Sequence, residues 1–122
     1  METFDFTFGP SGGPRRETDP FVVGVVADLG ALGGERFQSI DVDGFDPSVF
    51  PGTGTPEPGG LTWYLGLKII QKLAKARNIV GFDIVEVAPN EGQQVSEFAA
   101  ARLMGRTIAF VSKYCWNPEG AV

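Results

Sequence analysis

The chain of 122 residues is about one domain's worth, and its 43% hydrophobic and 20% charged content suits a packed core and excludes disorder by composition. A net charge of −5, from 10 basic and 15 acidic side chains, argues against nucleic-acid binding, which needs a basic face. The chain has no histidine, so a Ser-His or Cys-His pair, a His-ligated zinc and a His general base are all excluded within it; the single Cys115 excludes an intrachain disulfide and a thiolate metal cage.

The first twenty residues form an irregular leader or an edge strand, with Thr3 to Phe8 alternating polar residues and Phe at the period of a half-buried strand. The start METFDFTFG lacks the basic and apolar regions of a secretory signal, and the apolar run Phe21 to Ala27 is far short of the ~20 residues a membrane helix needs. A cytoplasmic protein with no membrane partner is the expectation. From Phe21 onward one α/β domain is expected, covering residues 21–122. FVVGVVA reads as a fully buried strand, closed by Asp28-Leu29-Gly30.

A second strand is expected from Phe37 to Asp43. Its period of two puts Phe37, Ser39, Asp41 and Asp43 on one face, ahead of the turn Gly44-Phe45-Asp46-Pro47. After a Pro/Gly loop, Thr62 caps a helix whose apolar stripe is Trp63, Gly66, Leu67, Ile70, Leu73 and Ala74, with Lys68, Gln71, Lys72 and Lys75 opposite. Asn78 to Val87 is a third strand. A last helix runs from near Ser96 to about Tyr114, with Ala100, Leu103, Met104, Thr107, Ile108 and Val111 as its apolar stripe. Strand, strand, helix, strand, helix implies an α/β domain whose parallel strands are joined by a helical crossover.

Chemistry concentrates at Ser39-Ile40-Asp41-Val42-Asp43-Gly44-Phe45-Asp46-Pro47. Carboxylates sharing one strand face repel, and a hard divalent cation between them relieves that cost. The alternative is a solvated strand end whose Asp residues lead into a turn. Asp46, before Pro47, fits a hydrogen-bonding turn role. An EF-hand starting at Asp41 needs Gly and Glu where Asp46 and Gly52 stand, so it fails. A phosphohydrolase with Asp41 as nucleophile and Asp43 as acid/base is weakened by Phe45, where such sites usually carry Thr. Pro51-Gly52-Thr53-Gly54-Thr55-Pro56 has no Lys, so it is not a P-loop.

The stretch SIDVDGFDPSVFPGTGTPEPGGL, from Ser39 to Leu61, resembles the third metal-binding segment of the ureohydrolase family, which includes arginase, agmatinase and formimidoylglutamase. The likeness extends through Asn78 to Pro89 and Ser96 to Leu103, and PGTGTPEPGGLTWY is most similar to agmatinase-like members. The resemblance implies a three-layer arginase-like fold, a parallel sheet flanked by helices. It also implies hydrolysis of a guanidino C–N bond, in agmatine or arginine, with release of urea by a hydroxide between two Mn²⁺ ions. Asp41 and Asp43 match metal ligands of that segment, Glu86 matches the acidic residue that receives the guanidinium, and Thr55 matches a threonine lining the same pocket.

Two earlier His-bearing metal segments of the family have no counterpart, since the chain has no histidine. The expectation is therefore the C-terminal part of the fold with its N-terminal half missing, inactive by itself. Exposed strand edges then imply a homo-oligomer or a complementing chain. A non-catalytic assembly or binding subunit and a Mg²⁺ phosphohydrolase are the alternatives.

Overall fold

The structure, a computed structural model, describes residues 26–30 and 35–116. The leader of residues 1–20, its expected strand at Thr3 to Phe8 and the apolar residues 21–25 lie outside that range. The elements in chain order are β1 (Val26–Gly30), β2 (Glu35–Asp41), a 3₁₀ turn (Val42–Gly44), α1 (Trp63–Ala76), β3 (Asn78–Val85), α2 (Val95–Val111) and a π-helical turn (Ser112–Trp116).

The sheet order is β1-β2-β3. β2 and β3 are parallel, from Glu35 opposite Asn78 to Asp41 opposite Val85, and α1 is the crossover that such a pair requires. β1 runs antiparallel to β2, with Val26 opposite Ile40 and Gly30 opposite Arg36. Antiparallel neighbours need only a short connection, and residues 31–34 supply it. β1 thus includes Asp28-Leu29-Gly30, which the sequence places after the strand. Backbone pairing to β2 is open to every residue, and it carries the strand past the apolar run.

Along β2, Gln38 and Ile40 are buried while Phe37, Ser39 and Asp41 are not, so one sheet face carries the core. β3 reaches the same face through a register shift. Arg36 opposes Ile79 and Phe37 opposes Gly81, so Val80 is an extra, exposed residue that lets Ile79 and Phe82 both join the core. The other face carries Phe37, Ser39 and Asp83, and Ser39 Oγ donates to Asp83 Oδ1 at 2.7 Å across the strands.

α1 starts as its sequence dictates. Leu65 N–H donates to the hydroxyl of the N-cap Thr62 at 3.3 Å, and the buried side is Gly66, Ile69, Ile70, Leu73 and Ala74. Lys68, Lys72 and Lys75 are exposed. Gly66 is required by contact: a Cβ there would lie 2.3 Å from the Phe45 ring, which packs directly on the helix backbone. Phe45 in turn meets Phe50 with ring centroids 5.1 Å apart. These rings, with Ile40, Val42, Ile70 and Leu103, form one core cluster; Ile69, Leu73, Ala74, Ile79 and Val111 form a second.

α2 departs from the expected stripe. Ser96, Leu103, Thr107 and Val111 are buried, whereas Met104 and Ile108 remain 48% and 45% exposed. Both helical faces of this segment carry apolar residues, and packing against the sheet selects the one that includes Ser96. No helix among the described residues is long and apolar enough to cross a membrane.

Candidate functional site

β2 ends at Asp41. The next residues turn into a single 3₁₀ turn because Asp41 Oδ1 accepts the backbone N–H of Asp43 at 2.9 Å. Asp43 is therefore not on the strand, and the expected shared strand face of Asp41 and Asp43 is corrected: local capping brings the carboxylates together where strand alternation was expected to. Burial pushes the Asp41 carboxyl above its ordinary value of 3.8; the hydrogen bond from Asp43 N–H opposes that shift, and the neighbouring Asp43 charge adds to it.

Asp43 uses its two oxygens differently. Oδ2 accepts a short hydrogen bond from the Thr55 hydroxyl, whereas Oδ1 is shielded from solvent and accepts none. A solvent-shielded carboxylate oxygen without a donor is costly, and a cation satisfies it directly. Asp46, three residues on, is committed elsewhere. Its Oδ1 accepts from Ser48 N–H and its Oδ2 from Gly59 N–H, each at 2.9 Å, and hydrogen bonds from Ser48 and Gly59 hold its carboxyl below 3.8. It organises the turn, as the Asp-Pro pattern suggests.

The Pro/Gly loop is fastened at both ends. Gly52 N–H donates to the buried Ser96 Oγ at 2.7 Å, and Ala88 N–H donates to Gly52 O at 2.8 Å, linking the loop to the segment after β3 and to α2. A Cβ on Gly52 would stand 2.5 Å from Ala88 O, so only glycine fits. At the far end, Asp46 N–H donates to Leu61 O and Leu61 N–H to Gly44 O, a bridge that returns the chain to α1. Thr55, between these anchors, is exposed.

Glu86 follows the last residue of β3. Val85 opposes Asp41, so Glu86 stands at the same end of the sheet as Asp41 and Asp43, the C-terminal ends of parallel strands. It is exposed, with φ of 65°, the one described non-glycine residue in the left-handed region. That conformation costs about 1–2 kcal/mol, and such strain collects at functional sites. The structure thus gathers Asp41, Asp43, Thr55 and Glu86 at one end of the sheet. Sequence reasoning missed two residues here: Ser96, whose role depends on a partner 44 residues away, and Thr53, whose hydroxyl is buried without a partner.

The donor set suits a hard divalent ion such as Mn²⁺, which takes carboxylate oxygens, and the orphaned Asp43 Oδ1 is a ready ligand. The fit covers only part of a coordination sphere. Among the described residues no group of three or more His, Cys, Asp and Glu side chains gathers to hold a metal.

Comparison with known proteins gives the chain's relatives in sequence and in fold. The N(1)-aminopropylagmatine ureohydrolase of Synechocystis sp. is 47% identical over 74 residues, covering 61% of this chain and 24% of that protein. The agmatinase of Chromobacterium violaceum is 52% identical over 68 residues, covering 55% of this chain and 21% of its own. Among solved structures, the proclavaminate amidino hydrolase of Streptomyces clavuligerus superposes with a TM-score of 0.58 at 32% identity, covering 66% of this chain and 28% of the other. The chain spans about a quarter of the length of the curated relatives it matches. A family model described as "Arginase family" matches residues 16–109, far more than half of the sequence, and the β2-to-α2 unit falls almost wholly inside that match. The chain therefore belongs to the arginase family.

Proposed function

We propose that the chain supplies the carboxylate metal ligands and the guanidinium-receiving glutamate of a manganese-dependent ureohydrolase site, acting on a linear guanidino compound such as agmatine or arginine. The observation that carries this reading is the placement of Asp41, Asp43 and strained Glu86 at the same end of the sheet, just at or after the C-terminal ends of β2 and β3. The names of the relatives, an agmatinase and an aminopropylagmatine ureohydrolase, support the substrate class. In this reading Asp41 and Asp43 hold the metal. When bound, a divalent pair lowers the pKa of water enough to supply a nucleophile near neutral pH. Glu86 binds the planar cation through paired charge-assisted hydrogen bonds and orients it towards the carboxylates. A reduced cytoplasmic setting is part of the proposal, resting on the free thiol of Cys115.

The chain by itself is proposed to be inactive. Two carboxylates without an imidazole leave most positions of two octahedral ions to water, so binding is weak and the ions are poorly placed. A complementing chain, or a further copy of this one, completes the assembly. Purified chain with Mn²⁺ should release no urea from agmatine or arginine, and addition of a polypeptide bearing His-containing metal segments should restore release. Urea production by the chain alone, lost in Asp43→Ala, would overturn the proposed inactivity. Restored release that is indifferent to Glu86→Gln would overturn the role given to Glu86.

Assembly has its own support. α1 and α2 pack on one sheet face, β3 is an edge strand among the described residues, and Phe98, Met104 and Ile108 stand exposed along α2. A non-catalytic assembly subunit would share these features. Urea release in the reconstituted complex separates it from the first reading. Membership of the arginase family leaves a Mg²⁺ phosphohydrolase without support.

A further inference from the structure

We propose that Thr55 is a positioning residue for the metal site: its hydroxyl holds one oxygen of Asp43 so that the other is presented, desolvated and unpartnered, to a divalent cation. The inference rests on the reading of Asp43 as a metal ligand and gives Thr55 a task beyond lining a substrate pocket. Asp43 lies in a one-turn 3₁₀ segment, so no strand pleat orients its side chain. Something else must choose the rotamer. Thr55 Oγ1 donates to Asp43 Oδ2, twelve residues away in sequence, while Asp43 Oδ1 has no partner and no solvent. A hydroxyl has one proton to give, and here it goes to the carboxylate. Towards a guanidinium, which only donates, the Thr55 oxygen can still accept, but it cannot donate to a substrate while it holds Asp43.

The hydroxyl can act this way because its loop is held. Gly52 is bound to Ser96 and Ala88, and Gly59 N–H is bound to Asp46 Oδ2. Thr55 sits between these anchors, so the freedom it would have in an open Gly/Pro loop is largely removed before any metal arrives. Outer partners of this kind fix the direction of a ligand's lone pair, and their removal typically weakens metal binding about 10–100-fold. The methyl group of Thr55 has no part in the argument, so Ser should replace it.

The test is Mn²⁺ binding to the full chain, read by the electron paramagnetic resonance signal of free Mn²⁺, with melting temperatures of the metal-free proteins measured beside it. Thr55→Val, similar in shape but without the proton, should bind Mn²⁺ about 10–100-fold more weakly, with its metal-free melting temperature unchanged. Thr55→Ser should recover most of the affinity. Asp43→Ala should abolish binding and serves as the control on the site itself. If Thr55→Val binds as the wild type does while Asp43→Ala does not bind, the positioning role is wrong and the metal site stands. If Asp43→Ala binds as the wild type does, or the wild type binds no Mn²⁺ even in large excess, the site reading fails and takes this inference with it. A Thr55→Val variant that loses affinity and melting temperature together, with no rescue by Ser, would assign Thr55 to loop folding and overturn the proposal.

Discussion

At the scale of single residues, Glu86 combines exposure with a left-handed backbone at φ 65°. An L-residue pays for its Cβ there and glycine does not. Glu86→Gly should therefore be more stable than Glu86→Ala by about 1 kcal/mol in urea unfolding. Equal stability of the two would show that the left-handed conformation stores no strain. Asp46 offers a pH test. Its folded-state pKa is lowered by hydrogen bonds from Ser48 and Gly59, so the folded state favours the ionised form. That contribution is present above the unfolded pKa near 3.8 and is lost as pH falls through the lower folded value. The gap in melting temperature between wild type and Asp46→Asn should accordingly be constant near neutrality and shrink below about pH 4. A gap independent of acid would remove Asp46's charge from the account of the turn.

At the scale of elements, α2 shows how a helix with apolar residues on two sides is resolved. Leu103 is fully buried in the first core cluster, and its neighbour Met104 is 48% exposed. Leu103→Ala should cost about 2–5 kcal/mol, as deletions from a packed core do. Met104→Ala should cost clearly less, because about half of its surface stays in water on folding and no packed cavity is opened. Chemical denaturation of both variants distinguishes the faces, and comparable losses would mean that α2 is rotated from the position described. The N-terminal turn of the same helix is tied down differently from α1. Thr62 caps α1 locally, whereas the Ser96 hydroxyl in α2 reaches the backbone of Gly52, so one side chain joins the helix to the site loop.

At the scale of the molecule, the described helices gather on one sheet face. Val80 and Phe37 are exposed on the sheet, and Phe98, Met104 and Ile108 are exposed on α2. Large apolar side chains left in solvent are the kind that association covers, and an unpaired strand edge adds backbone donors and acceptors. Light scattering should show a molar mass that rises with concentration. Phe98→Glu together with Ile108→Glu should shift it towards the monomer without changing the far-UV circular dichroism. A monodisperse monomer that binds no hydrophobic dye would remove the partner from the proposal.

What was legible in the sequence is local in origin. The N-cap of α1, its apolar face, the strand–helix–strand crossover and the turn role of Asp46 each follow from residues within a few positions of one another, where propensity and periodicity act. SIDVDGFDP and PGTGTPEPGG are contiguous motifs, and the family they point to is the one the chain belongs to. The tertiary structure decided the rest. β2 stops at Asp41 because its side chain captures the N–H of Asp43, ending the alternation that the sequence pattern continues to Asp43. β1 extends to Gly30 because backbone pairing is blind to side-chain type. α2 buries the face containing Leu103 and leaves out Met104 and Ile108 because a helix apolar on both sides has two periodic solutions. Only the sheet beneath it selects between them.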